Sequence, residues 1–266
     1  GGMAEIYSAV DTFAKKTVAI KVIKSEYQDD IFEVETFKNE ARFAANFSHP
    51  HIIKIFNIGQ YRGHLFIVYE LLKGRTLKDE LDQRGYFSFD EAINYMLQIL
   101  EATKYIHERK VIHNDIKPEN IFLFADGNLK LIDFGIATHI GETPDKKHAS
   151  LNYAAPEVLR NGLYSVQSDI YSLGAMFFEF LTSKTFFKVD STQEVMMAQS
   201  YQEIPSISKY INLAQGKALD EVIKKATNRI LNQRYKSDDE MICDIISIRD
   251  NNIIKKKNIF QRIFKK

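Results

Sequence analysis

The segment His113-Asn-Asp-Ile-Lys-Pro-Glu-Asn120 brings a carboxylate (Asp115), an ammonium (Lys117) and an amide (Asn120) into one short stretch, and Asp133-Phe-Gly135 adds a second carboxylate ahead of a flexible pair. Hard divalent cations such as Mg²⁺ prefer oxygen ligands, and one carboxylate plus one amide oxygen beside phosphates would supply them. A carboxylate left free of metal could take the proton of an attacking hydroxyl. A lysine beside it could neutralise charge on a moving phosphoryl group. Such spacing suits phosphoryl transfer, in which positioning and charge stabilisation carry nearly all of the catalysis. The histidines form no metal-binding pattern, and the single cysteine, Cys243, excludes an intrachain disulfide and a Cys-based zinc site.

The elements that must hold these residues divide into two groups. Before residue 73 the sequence reads as strands around one helix. Thr17–Ile23, Ile52–Gly59 and His64–Leu72 are β-branched or aromatic runs, and Asp29–Asn46 spaces Phe32, Phe37, Ala41 and Ala44 as a helix does. Leu72–Thr76, with Gly74, reads as a hinge. Beyond it, helices are expected at Ser88–His107, Val166–Leu181, about 192–200, Gln215–Asn228 and Ser237–Ile248. Ser88 followed by Glu91 is a capping-box pattern. Ile121–Phe124 and Leu129–Ile132 flank Asp126-Gly-Asn128, a hairpin signal. The expected fold is α+β in two lobes, a small antiparallel sheet with one helix (1–72) and a larger, mainly helical part (73–250). Cys243 is expected to lie buried on the last helix, and His113 to be a core histidine.

Composition and charge narrow the class. Hydrophobic residues at 45% and charged residues at 27% are ordinary for a globular domain and exclude wholesale disorder. No apolar run approaches the ~18 residues that span a bilayer, and no signal peptide is visible, so a reducing, cytosolic setting is expected. From Arg249 to Lys266 seven basic residues face one acid, a net of +6, whereas the whole chain carries +1. The remaining body is therefore mildly acidic (1 − 6 = −5), which is not the distribution of a nucleic-acid-binding protein. The tail, 251–266, pairs Ile259 with Ile263 and Phe260 with Phe264 at i, i+4. A basic amphipathic helix there could lie on an anionic membrane or a partner groove, or simply be a solvated terminus.

Taken together, these motifs resemble the catalytic core of eukaryotic-like bacterial Ser/Thr protein kinases, and they occur in that family's order from residue 1 to about 250. Val18-Ala-Ile-Lys21 is similar to the strand that carries the phosphate-holding lysine, and Glu40 in Phe37-Lys-Asn-Glu-Ala41 to the helix glutamate paired with it. Ala155-Pro-Glu157, Asp169-Ile-Tyr-Ser-Leu-Gly174 and Arg234 follow in place, and Gly1-Gly-Met-Ala-Glu-Ile-Tyr7 is similar to the later part of the glycine-rich loop. The resemblance implies ATP and Mg²⁺, with Mn²⁺ as a substitute, and protein substrates with Ser or Thr acceptors. It implies Asp115 as catalytic base, Lys117 on the γ-phosphate, and Asn120 with Asp133 as metal ligands. Lys21, supported by Glu40, would hold the α- and β-phosphates under Gly1 and Gly2. Adenine would lie between Ile6 with Ala19 and Phe122, against the backbone of Glu70 to Leu72, with Tyr69 limiting the pocket behind. His113, Phe134, Glu157, Asp169 and Arg234 would be structural supports.

Three features depart from the family pattern. The match starts at the second glycine position, so the family's first strand and first glycine lie outside this sequence, and Ala4 stands at the third glycine. Asn114 occupies the place of an arginine that pairs with a phosphorylated activation segment in regulated members, so activity is expected not to depend strongly on phosphorylation at Thr138, Thr143 or Ser150. Ser150 stands at a threonine position that touches the catalytic Asp and Lys. Two rival readings remain open on sequence alone, a pseudokinase scaffold that binds nucleotide without turnover and a small-molecule kinase.

Overall fold

A computed structural model describes residues 3–144, 150–187 and 191–263, the last eleven as helical backbone only. Gly1 and Gly2, Lys146 and Lys147, and the side chains of the basic tail lie outside the described residues.

The small lobe opens with strand β1 (Ala4–Asp11), which turns back into β2 (Lys16–Ile23). Helix α1 (Ile31–Ala44) follows, started by the Asp30 carboxylate accepting from the N–H groups of Phe32 and Glu33. Strands β3 (Ile55–Tyr61) and β4 (His64–Glu70) complete an antiparallel sheet of order β1-β2-β4-β3. Its core is small. Ile23, Phe37, Ala41, Ile67 and Tyr69 pack α1 onto the sheet. The C-terminal end of the same helix, Phe43 and Ala44, belongs instead to the large lobe's core. α1 therefore straddles both cores.

The expected hinge is partly a strand. β5 (Gly74–Thr76) pairs with β7 (Ile121–Phe124), and the hairpin to β8 (Leu129–Leu131) makes a three-stranded sheet under the cleft. Gly74 permits this approach, because a Cβ there would stand 2.1 Å from the carbonyl oxygen of Leu123. Asp126 closes the hairpin by accepting from the N–H of Asn128 at 3.0 Å.

Helix α2 (Leu77–Arg84), absent from the sequence expectation, starts with a Thr76–Asp79 capping box. α3 (Phe89–Glu108) carries the Ser88–Glu91 box read from the sequence. β6 (Val111–Ile112) and β9 (Thr138–His139) form a two-stranded ladder that flanks the segments carrying Asp115 and Asp133. α4 (Pro156–Asn161) leads to α5 (Val166–Thr182), whose residues from Ser168 onward are all buried. α5 is the axis of the large lobe, with α3 on one side and α7 (Gly216–Ala226) on the other. Gly174 makes the second contact possible, since a Cβ on it would meet Ala226 and Thr227 at 2.7 Å. α6 (Thr192–Tyr201) and α8 (Asp238–Ile263) complete the lobe. α8 runs well past the Ile248 expected, and Cys243 on it is exposed rather than buried, because the helix turns Met241 and Ile245 inward instead. No helix among the described residues is long and apolar enough to cross a membrane.

Candidate active site

The loop between β6 and β7 presents Asp115, Lys117 and Asn120 at the cleft. Asp115 sits at the centre of a hydrogen-bonded group. Its Oδ1 accepts from Ser150 Oγ at 2.6 Å. Its Oδ2 accepts from Asn120 Nδ2 at 2.9 Å and lies 2.7 Å from Lys117 Nζ. Lys117 also donates to Ser150 Oγ at 2.9 Å. Asn120 spends its second amide hydrogen on the Asp115 carbonyl at 2.8 Å, so its Oδ1 is the one polar atom left for a ligand. A half-buried carboxylate thus faces the cleft with a cation and a hydroxyl fixed beside it.

Below the loop, His113 is fully buried, its ring 4.9 Å from that of Phe134. Burial lowers its pKa, and Nδ1 accepts from the Asp115 N–H at 3.3 Å, so the ring is neutral with its proton on Nε2. Phe134 also packs 5.3 Å from Phe47 and has no exposed surface, an anchorage of roughly 1.5–3 kcal/mol. With Phe134 inward, Asp133 is exposed at the cleft, its backbone at φ 66° and its Oδ1 accepting from the Gly135 N–H at 3.1 Å. Left-handed backbone suits Asp and Asn, and Asn114 adopts it too, at φ 69°.

Across the cleft, Lys21 Nζ lies 2.5 Å from Glu40 Oε2. Burial opposes a charge on Lys21, but Glu40 and Asp133 outweigh it and hold its pKa above the ordinary value. Tyr69 donates its hydroxyl to the other Glu40 oxygen, so this buried carboxylate has a partner on each side. Burial, first, and then the Glu40 charge raise the Tyr69 pKa, which keeps the phenol a donor. The sheet register sets Ile6 opposite Lys21 and Tyr69 opposite Ala19, placing all four on the face toward α1 and the cleft. Phe122 lies across from them on β7, opposite Thr76 of β5. The Glu70 side chain turns away, accepting from the Lys54 N–H at 2.8 Å and from Lys130 Nζ at 2.7 Å, and Leu72 is half-buried in the link between β4 and β5.

The supports lie deeper. Asp169 on α5 accepts from the backbone N–H groups of His113 at 2.8 Å and Asn114 at 3.0 Å. Arg234, 2% exposed, forms a forked pair with Glu157 at 2.6 and 2.7 Å and also donates to the carbonyls of Asn228 and Gln167.

Some contributors gave no sequence signal. Asn39 on α1 donates to the carbonyls of Gly135 at 3.0 Å and Ala137 at 2.8 Å, tying the helix that carries Glu40 to the segment after Asp133. An amide beside Glu40 on a helix reads as solvated until the distant carbonyls are known. His107, which bridges Asp169 and Asp238, and Asp238 itself were likewise silent.

Among the described residues no cluster of three or more His, Cys, Asp or Glu side chains could hold a metal alone. Asn120 and Asp133 nevertheless fit an Mg²⁺-type ion, because their oxygens are hard donors and phosphate oxygens would complete the shell.

Comparison with known proteins agrees with this architecture. The sequence pattern of the family described as "Protein kinase domain" matches residues 1–240. A probable serine/threonine-protein kinase PknB of Lactococcus lactis subsp. lactis is 36% identical over 250 residues, covering 92% of this chain and 40% of that protein. The serine/threonine-protein kinase PrkC of Bacillus subtilis is 34% identical over 261 residues, covering 97% of this chain and 40% of that one. The chain thus spans about two fifths of the length of these relatives. On the family match, the relatives and the two-lobed fold together, this chain belongs to the protein kinase domain family, alongside bacterial serine/threonine kinases.

Proposed function

We propose that the protein transfers the γ-phosphoryl group of ATP to Ser or Thr hydroxyls of proteins, itself included, using Mg²⁺ with Mn²⁺ as a substitute. The observation that carries this reading is the grouping of Asp115, Lys117, Asn120 and Ser150 within hydrogen-bonding distance of one another. Asp115 orients the acceptor hydroxyl and takes its proton as the oxygen attacks phosphorus. The bond from the γ-phosphorus to the bridging oxygen breaks, ADP leaves, and a phosphoester forms on the acceptor. Lys117 stays beside Asp115 to neutralise charge on the group in transit, and Lys21, held by Glu40, takes the α- and β-phosphates. Asn120 and Asp133 would hold the metal ion, which when bound supplies charge neutralisation at the phosphate oxygens.

Ile6, Ala19 and Phe122 would sandwich adenine, with the chain at Glu70 to Leu72 reading its edge. The Ser150 hydroxyl between Asp115 and Lys117 favours an alkyl hydroxyl over a phenol as acceptor. The basic tail is a candidate contact for an anionic membrane or an acidic partner, which rests on its charge alone, and no nucleic-acid partner is implied. A cytoplasmic place of action, peripheral at the membrane if the tail engages it, belongs to the same reading.

Incubation with labelled ATP, Mg²⁺ or Mn²⁺ and a generic basic protein tests it, with Asp115→Asn alongside. Phosphoserine or phosphothreonine is expected, reduced by about 10²-fold or more in the variant, as loss of a general base costs. Nucleotide binding with no transfer in the wild type would replace the enzyme with a scaffold.

A further inference from the structure

Between α3, α5 and α8 lies a buried row of titratable groups that the reaction above does not use. His107, near the end of α3, is 7% exposed, and the two carboxylates that face it, Asp169 and Asp238, are 1% and 2% exposed. Its Nε2 is 2.9 Å from Asp169 Oδ2 and its Nδ1 is 2.6 Å from Asp238 Oδ2. Ionised carboxylates only accept hydrogen bonds, so satisfying both contacts requires a proton on each ring nitrogen. The imidazole in this geometry is a cation.

Each carboxylate has its remaining oxygen occupied. Asp238 Oδ1 accepts from Thr103 Oγ1 at 2.7 Å, one turn before His107 on the same helix. Asp238 also stands in the first turn of α8, where the helix N-terminus favours negative charge. Asp169 holds the two peptide N–H groups of His113 and Asn114, the pair that precedes Asp115. A continuous line of donors and acceptors therefore runs from the start of α8 through His107 to the catalytic loop.

We propose that Asp238 is a positioning residue for phosphoryl transfer: it holds His107 as a cation that fixes Asp169, and through Asp169 the backbone that aims Asp115. This rests on the kinase reading above. Were His107 neutral, one ring nitrogen would present a lone pair to a carboxylate, and either Asp169 or Asp238 would lose its donor. A displaced Asp169 would release the amides of His113 and Asn114, and a shift of about 1 Å at a catalytic group can cost ~10²-fold in rate.

The charge environment is simple. α5 contributes Asp169 and α8 contributes Asp238. On the rim, Lys104 of α3 is engaged by Asp239 at 2.5 Å and Glu108 at 3.9 Å, which leaves its charge balanced. His113 from the catalytic loop is neutral. Burial lowers the His107 pKa and the two carboxylates more than reverse that, to about 10. Because the folded-state value is raised, the cation persists below it and is lost as pH rises through it. Removing one carboxylate moves that loss down into the working range.

The test compares kcat and KM for ATP of the full chain, from about pH 6 to about pH 9, in wild type, Asp238→Asn and the rim control Asp239→Asn. Asp238→Asn keeps the shape and removes the charge. In this variant a neutral ring can still donate from Nε2 to Asp169 while Nδ1 accepts from the new amide. What is lost on deprotonation is the charge assistance to Asp169, so kcat is expected to fall toward alkaline pH by at least about threefold across the new transition, with KM for ATP within about twofold. Wild type and Asp239→Asn should stay flat over that span. A kcat for Asp238→Asn that parallels wild type across the range overturns the proposal, as does a uniform loss without pH dependence. A second readout needs no variant. Nitrogen chemical shifts of His107 in the wild-type protein should show both ring nitrogens protonated at about pH 8, and a neutral ring there overturns the proposal even if the variant fails to fold. A wild type that binds ATP yet transfers nothing at any pH would instead sink the kinase reading, and the nitrogen shifts would still decide the charge on His107.

Discussion

Asn114 ties two segments of the cleft together through its side-chain amide. Its amide nitrogen donates to the Ile136 carbonyl at 2.8 Å and to Thr138 Oγ1 at 2.9 Å, fastening the segment after Phe134 to the loop that carries Asp115 with neutral hydrogen bonds. Those two bonds are worth on the order of 1–3 kcal/mol together and need no phosphate. Thr138 is 6% exposed with its hydroxyl oxygen accepting from Asn114, so it is withdrawn as a phosphate acceptor, and replacing it with alanine would remove one bond of this fastening. Thr143 is exposed and tests the point without touching the fastening. Thr143→Ala should leave phosphotransfer within about threefold of wild type, and a loss of tenfold or more would show that a phosphate there is needed. The departure at Asn114 was legible in sequence because a short amide stood where a long cation was expected. Its partners were not, because they lie 22 and 24 residues further along and meet it only through the β6–β9 ladder.

At the scale of elements, the forked pair of Arg234 with Glu157 joins the start of α4 to the segment before α8. The guanidinium has no exposed side-chain surface and two further carbonyl partners, so removing it strands Glu157 and opens a gap among α4, α5 and α8. Arg234→Ala should cost about 3–5 kcal/mol and lower the Tm by roughly 6–15 °C in thermal unfolding. Arg234→Lys should recover little of this, since a lysine cannot span both carboxylate oxygens. A loss under about 1 kcal/mol for the alanine variant would mean that the pair adds no net stability.

Elements were legible where they carried an apolar period or a cap. α3 offered both, with Ala92, Met96, Ile99 and Leu100 inward behind the Ser88–Glu91 box. α2 offered only Leu77 and Leu81 as inward positions, so its sole signal was the Thr76–Asp79 cap. β1 lies at the sheet edge with most of its residues exposed, and a strand that buries so little leaves a weak pattern. The hinge hid β5 because its pairing with β7 depends on Gly74 rather than on β-branched residues. In the site, residues fixed by local spacing, such as Asp115 and Asn120, were readable. Long-range partners such as Asn39, His107 and Asp238 had no local signature, because their roles exist only across packed elements.

The molecule as a whole has unequal halves. Among the described residues, five buried side chains form the small lobe's own core, whereas the large lobe's core runs from Phe43 to Ile248 around α5. Regions with few buried apolar contacts open first under native conditions. Hydrogen exchange should therefore release the amide of Ile67 at the centre of the small sheet at least about tenfold sooner than that of Leu173 in α5. Equal protection at the two positions would mean that the lobes unfold as one unit, coupled through α1.

The acceptor for the backbone of the Asp115 loop lies far downstream in the order of synthesis. Asp169 follows Asn114 by 55 residues and His113 by 56. At a translation rate of about 5–20 residues per second, the two loop amides wait roughly 3–11 s before their carboxylate exists. A nascent chain paused anywhere in that interval carries the loop residues in sequence but nothing that holds their backbone in place. Emergence of α5 from the ribosome, rather than completion of the loop itself, is then the event after which Asp115 can be aimed.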